Sequence, residues 1–147
     1  MRIWYEFTSD GRSLLVAANV QLIGPEKPEP VYSNSFMYTS APVAESEPLA
    51  AWAREQGSAL AAAYREGGKE IAYMLKMDIE GSSNEALAAE NAKRPRAKVH
   101  IPFYGPFLMS ANGALVAFSA EGFLVEKNDQ RQIVRAEGGA LYSVAVR

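Results

Sequence analysis

The chain has 147 residues, 48% of them hydrophobic and 22% charged, and a formal net charge of −2. That is the length and composition of one soluble globular domain, and it provides no basic footprint for nucleic acid. It contains no cysteine and one histidine, which excludes disulfides, thiolate metal sites and cysteine nucleophiles.

Met1 leads directly into alternating residues, with Ile3, Tyr5 and Phe7 on one face and Arg2, Trp4 and Glu6 on the other. This predicts a strand over 2–7, with no signal peptide visible. An opening of this kind is expected where a leader has been removed and Met1 supplied in its place. Ser9-Asp10-Gly11-Arg12 is a turn signal. Residues 13–23 then predict the longest strand, with Leu14, Val16, Ala18, Val20 and Leu22 on one face. The opposite face is more polar, and the two strands read as a hairpin. Gly24–Pro30 holds three prolines and two glutamates, so an exposed loop is expected. Strand character returns over 31–40, where Tyr32, Asn34, Phe36 and Tyr38 share a face.

Ser46 reads as a helix N-cap with Pro48 in the first turn. Leu49, Trp52, Ala53, Gln56, Leu60, Ala63, Tyr64, Gly67, Ile71, Met74 and Leu75 follow helical spacing. A continuous helix over Pro48–Asp78 would span about 45 Å. Gly67 falls on the apolar stripe, as close approach to a sheet would require, and Gly68 is a candidate kink. Glu66 and Glu70 lie beside Arg65 and Lys69, which predicts an exposed salt-bridged face.

Gly81–Asn84 interrupts the pattern. Glu85–Lys93 reads as a short helix capped by Asn84 or as a linker. The basic run Lys93, Arg94, Arg96 and Lys98 is expected to be solvated. Short strands are then predicted over 97–101, 114–119, 122–127, 131–136 and 140–146, the last three as a meander. The fold class is α+β: β-β-β-α followed by about five short strands, with the long helix on a mainly antiparallel sheet. A single domain is expected, with subunits at 1–80 and 96–147 around a linker at 81–95. Either the helix crosses one sheet drawn from both halves, which is favoured, or the late strands close as a small barrel. The late strands alone would make a marginal core.

Chemistry is sparse. His100 has neither cysteine nor a second histidine for a metal site, and no nucleophile at a recognised spacing. No catalytic residue, metal site or cofactor is assigned. Ser33-Asn34-Ser35 and Gly81-Ser82-Ser83 lack the nucleophile elbow, and Gly67-Gly68 and Gly138-Gly139 lack the strand–helix context of a phosphate loop. The proline-bracketed segment 100–109 carries large apolar residues that either plug the core or face a partner. Phe103, Tyr104 and Phe107 are the first binding candidates. Tyr32, Phe36 and Tyr38, with Trp4 and Trp52, are either helix-on-sheet core or the lining of a groove.

Trp4-Tyr5-Glu6-Phe7, Ser9-Asp10-Gly11, Val31-Tyr32-Ser33 and Leu49-Ala50-Ala51-Trp52-Ala53 occur in an order that resembles small envelope lipoproteins of Gram-negative bacteria. The resemblance spans residues 2–79. It implies a periplasmic or outer-membrane-associated, non-enzymatic binding or assembly module, held at the membrane through a lipid anchor that this sequence lacks. A protein, lipid or envelope polymer would be its partner, and nucleic acid would not. The alternatives are a small hydrolase-like enzyme using His100 with a carboxylate or hydroxyl, an immunity- or inhibitor-type protein that blocks another protein, and a cytoplasmic location.

Overall fold

The computed structural model describes residues 1–26, 28–80, 84–102 and 117–146. Seven strands form one sheet: β1 (Arg2–Phe7), β2 (Leu14–Ile23), β3 (Pro30–Thr39), β4 (Arg96–Pro102), β5 (Ala117–Lys127), β6 (Arg131–Ala136) and β7 (Leu141–Ala145). Their order is β1-β2-β3-β7-β6-β5-β4. Two antiparallel meanders are therefore joined edge to edge, and the β3–β7 seam, with Phe36 opposite Leu141, is the parallel one. The sheet draws strands from both halves of the chain, the favoured arrangement. Helix α1 (Pro48–Glu80) lies on one face and contacts β2 and β3. A short α2 (Asn84–Asn91) precedes β4.

The alternation that predicts β2 also orients it. Leu14, Val16, Ala18 and Val20 point at α1 and are buried with Phe36, Tyr38, Trp52, Ile71, Met74 and Leu141. Leu15, on the other face, is equally buried, in a second cluster with Val99, Val134 and Val144. Both sides of the sheet centre are thus core.

Pro48 stands at the first position of α1 as expected, but Glu47, not Ser46, precedes it, and the Glu47 carbonyl accepts the first bond, from Ala51 N–H. Nor is the helix one rod. Arg54 is extended, and Glu55, Gln56 and Gly57 have φ of 49°, 57° and 78°, a left-handed turn that only glycine adopts freely. The break falls at Gly57 rather than at Gly67-Gly68, and about 34 Å of helix remains beyond it. The short first segment is held by Trp52, which is buried, packs on Phe7 and donates from Nε1 to the Gly11 carbonyl at 2.8 Å.

Gly67 is the point of closest approach. A Cβ there would lie 2.7 Å from Val16 Cγ2 and 3.0 Å from Tyr38 Cδ1, whereas one at Gly68 would meet nothing within 4 Å. Gly67→Ala is therefore expected to destabilise by about 1–3 kcal/mol through overpacking against a stiff β-branched neighbour. Gly68→Ala is expected to stabilise by up to about 1 kcal/mol. Chemical denaturation of the two variants checks the opposite signs.

One strand differs from the expected division. Where two strands are expected around Ser119 and Gly122, β5 runs unbroken from Ala117 to Lys127, so four strands follow the helices among the described residues. Gly122 looks like a terminator but sits inside the strand, opposite Ala97 and Ala136. Its missing side chain admits the β6 backbone. A bulge follows between Leu124 and Glu126. The Val125 carbonyl is taken up by Arg94, and Leu124 N–H donates to the Pro95 carbonyl. Glycine and bulge together bend β5.

Candidate functional site

The bend in β5 has a geometric result. β1 and β4 are the opposite margins of the sheet, yet the β1–β2 turn and β4 line one cleft of 250 Å³. Thr8, Asp10 and Ser13 come from the turn, Lys98 and His100 from β4, and Thr39 and Ser40 from the end of β3. A sheet must curl for its two margins to share a cavity, and the inward face of that curl is the second buried cluster.

Most polar groups of this cleft already hold the fold. The Thr8 hydroxyl donates to Asp10 Oδ1 at 2.7 Å and accepts from Ser13 N–H at 2.9 Å. Asp10 Oδ1 also accepts from Arg12 N–H. Burial raises the Asp10 carboxyl, but these bonds and the Arg12 charge outweigh it and hold the group below its ordinary range. Ser40 Oγ accepts from Leu14 N–H at 2.9 Å and donates to the Ala41 carbonyl. Lys98 pairs with Glu121 at 3.3 Å. His100 is exposed and has no hydrogen bond or ion pair among the described residues. A general base needs hydrogen-bond reach to its proton donor and a partner to orient it. Among the described residues no hydroxyl or carboxylate of the cleft is bonded to His100, while the hydroxyls of Thr8 and Ser40 are committed elsewhere. Among the described residues no three carboxylate or imidazole groups converge as a metal requires.

The aromatic candidates divide. Phe36 and Tyr38 are 1% and 0% exposed under α1. They are core, not the lining of a groove, because Gly67 lets the helix settle on them. The Arg131 guanidinium lies 4.2 Å above the Tyr38 ring. Burial pushes the Tyr38 phenol well up. Tyr32 is half-buried, and its hydroxyl donates to Asp78 on α1. Burial, then that hydrogen bond, then the Asp78 charge push it up as well, so it stays a donor. Phe103, Tyr104 and Phe107 lie outside the described residues.

The acidic pair on α1 is placed differently from expectation. Glu66 and Glu70 do not make a local helix network: Glu70 accepts from the Ser143 hydroxyl at 2.8 Å, and both carboxylates lie within 4 Å of Arg131. The basic run is solvated as expected: Lys93, Arg96 and Lys98 are exposed, and Arg94, Arg96 and Lys98 pair at the surface with Glu90, Glu137 and Glu121 respectively.

An apolar surface that the sequence reading did not single out lies at the free margin of the sheet. Ile3 and Tyr5 on β1 and Tyr64 on α1 are all exposed, by 45%, 64% and 46%. The Tyr5 and Tyr64 rings meet edge to face with centroids 5.6 Å apart. The signal was present: Ile3, Tyr5 and Phe7 share a face, but only Phe7 reaches Trp52 and the core. No described helix is long and apolar enough to cross a membrane. Comparison with protein-family models, with curated proteins and with solved structures finds no match to this chain.

Proposed function

We propose that the chain is a non-catalytic binding or assembly module of the bacterial envelope that contacts a protein partner through the β1 margin and the adjoining face of α1. One observation carries this reading. Three large apolar side chains, Ile3, Tyr5 and Tyr64, are exposed together beside a sheet edge. Contiguous exposed apolar surface marks interaction sites, and a free edge accepts an added strand. The envelope setting rests on the resemblance of residues 2–79. Fractionation of cells carrying the native gene tests it, and recovery with cytosolic enzymes would remove it.

The contact is tested by placing a photo-cross-linking amino acid at position 5 and, as control, at the exposed Ser33 of β3. A discrete adduct from position 5 alone, identified by mass spectrometry and reproduced with purified components, is expected. Adding Tyr64→Asp should abolish it. Absence of a discrete adduct from position 5 overturns the reading.

A second reading, a hydrolase-like site, has the placement of His100 in the cleft as its supporting observation. It requires His100, which has no bonded partner among the described residues, to gain one by rearrangement, and the Thr8 and Ser40 hydroxyls already hold the β1–β2 turn and the β3 end. The aromatic margin needs no such rearrangement and is preferred for that reason.

A further inference from the structure

We infer that the partner at this margin is a second copy of the chain, joined antiparallel along β1 about a two-fold axis at Trp4, with Arg2 opposite Glu6 of the partner subunit. The inference rests on the binding reading above and adds the identity and register of the partner.

The hydrogen-bond phase of β1 limits the possible registers. Thr8 N–H donates to the Ser13 carbonyl at 2.8 Å, and Thr8 stands opposite Ser13 in the register of the β1–β2 ladder. Thr8–Ser13 is therefore a hydrogen-bonded pair. Such pairs alternate in an antiparallel ladder. Arg2, Trp4 and Glu6 thus bond inward to β2, and the N–H and C=O groups of Ile3, Tyr5 and Phe7 point out of the sheet. A two-fold copy must match outward residues with outward residues, so the axis passes through a residue and not between two.

Charge then separates the candidate centres. Centred on Ile3, the overlap sets Arg2 against Trp4. Centred on Tyr5, it sets Glu6 against Trp4. Centred on Trp4, it sets Arg2 against Glu6 twice, Trp4 against Trp4, and Ile3 against Tyr5 twice. Opposite-charge and aromatic cross-strand pairs stabilise a ladder, whereas mismatched partners do not. The interface is isologous, as a two-fold contact requires.

Both charged groups lack partners among the described residues of the protomer. Arg2 is exposed and forms no ion pair among the described residues. Glu6 Oε1 is shielded from solvent and accepts no hydrogen bond among them, and burial pushes this carboxyl up. A guanidinium brought alongside supplies the missing countercharge. On the opposite face the same register covers Ile3 and Tyr5, next to Tyr64.

Sedimentation of the full chain tests the inference. A concentration-dependent species of twice the 16.0 kDa protomer mass is expected. Glu6→Arg alone and Arg2→Glu alone should each weaken association about tenfold or more, because both symmetric contacts become like-charge pairs. The exchange Arg2→Glu with Glu6→Arg should restore it to within a few-fold, which a variant damaged in folding could not do. A protomer-only profile, or a dimer indifferent to the single reversals, overturns the inference. If the position 5 cross-linker captures a different, defined protein while sedimentation shows only protomer, the binding reading stands and the self-pairing falls. If no adduct forms at all, both fall.

Discussion

Asp78→Ala is expected to lower the stability of the fold by about 3–5 kcal/mol, as removal of one partner from a buried ion pair does. The Asp78 side chain is 6% exposed and that of Arg135 is 8% exposed. Arg135 Nη1 donates to one carboxylate oxygen. The Tyr32 hydroxyl and Asn34 Nδ2 donate to the other, the latter at 2.6 Å. Asn34 Nδ2 also reaches the Gly139 carbonyl at 3.1 Å. One carboxylate thus ties the C-terminal turns of α1 to β3, β6 and the β6–β7 turn. Without it, a guanidinium, a phenol and an amide are left facing an empty acceptor position. Urea denaturation should show a lower midpoint with an unchanged slope. Replacing both partners by apolar residues of similar volume should recover much of the loss.

The same group sets an acid limit. Burial raises the Asp78 carboxyl, but the bonds from Tyr32, Arg135 and Asn34 and the Arg135 charge outweigh it, leaving the group below its ordinary 3.8. A depressed carboxylate contributes stability that is fully present above its unfolded value and is lost as pH falls through the folded one. The stability gap between the native chain and Asp78→Asn should therefore be constant near neutrality and close as the pH is taken below about 3.8. A gap that widens in acid would show that the carboxylate is held by something other than these donors.

The parts of this fold that were legible in the sequence are those written as period. Residues 2–7, 13–23 and 31–40 alternate, and the structure has β1, β2 and β3 there within a residue or so; 131–136 is bounded by turn signals, and β6 lies there. The helical stripe correctly names Trp52, Ala63, Gly67, Ile71 and Met74 as buried. It conceals the break at Arg54–Gly57, because Trp52 and Leu60 keep their place on the stripe whether or not the helix is continuous between them. Arg131 and Arg135 alternate with polar and apolar neighbours, and a charged residue in a strand reads as solvent-facing. In fact Arg131, Ile133 and Arg135 share the α1 face of β6, and their acidic partners lie 57 or more residues away in sequence. Such pairs follow from topology, which no local pattern encodes. The cleft was illegible for the same reason. His100 and Thr8 line one cavity only because the sheet curls, and the close approach of β5 to β6 falls at a glycine that reads as a strand end.

That glycine leads to the other large expected effect. An ideal Cβ at Gly122 would lie 2.1 Å from the Arg135 carbonyl oxygen, 2.7 Å from the Arg135 carbonyl carbon and 2.9 Å from Ala136 Cα. All three are backbone atoms of the neighbouring strand, so no rotamer change relieves the clash. In Gly122→Ala, β5 must lift away from β6 or straighten. Overpacking of this kind costs about 1–3 kcal/mol, and each ladder bond lost adds about 1 kcal/mol. A total of about 3 kcal/mol or more is expected. Gly138→Ala, where a Cβ meets nothing within 4 Å, should stay within about 0.5 kcal/mol of the native chain and serves as the control. The loss should be uneven. If Gly122 sets the curl, the variant lets β4 swing away from the β1–β2 turn, so amide exchange should quicken in β4 and β5 before it does in β1–β3 and α1. Uniform quickening would mean that the close approach matters to overall stability but not to the curl. Full native stability would mean that the two strands tolerate the extra methyl, and the bend would then have to come from the bulge at Val125 alone.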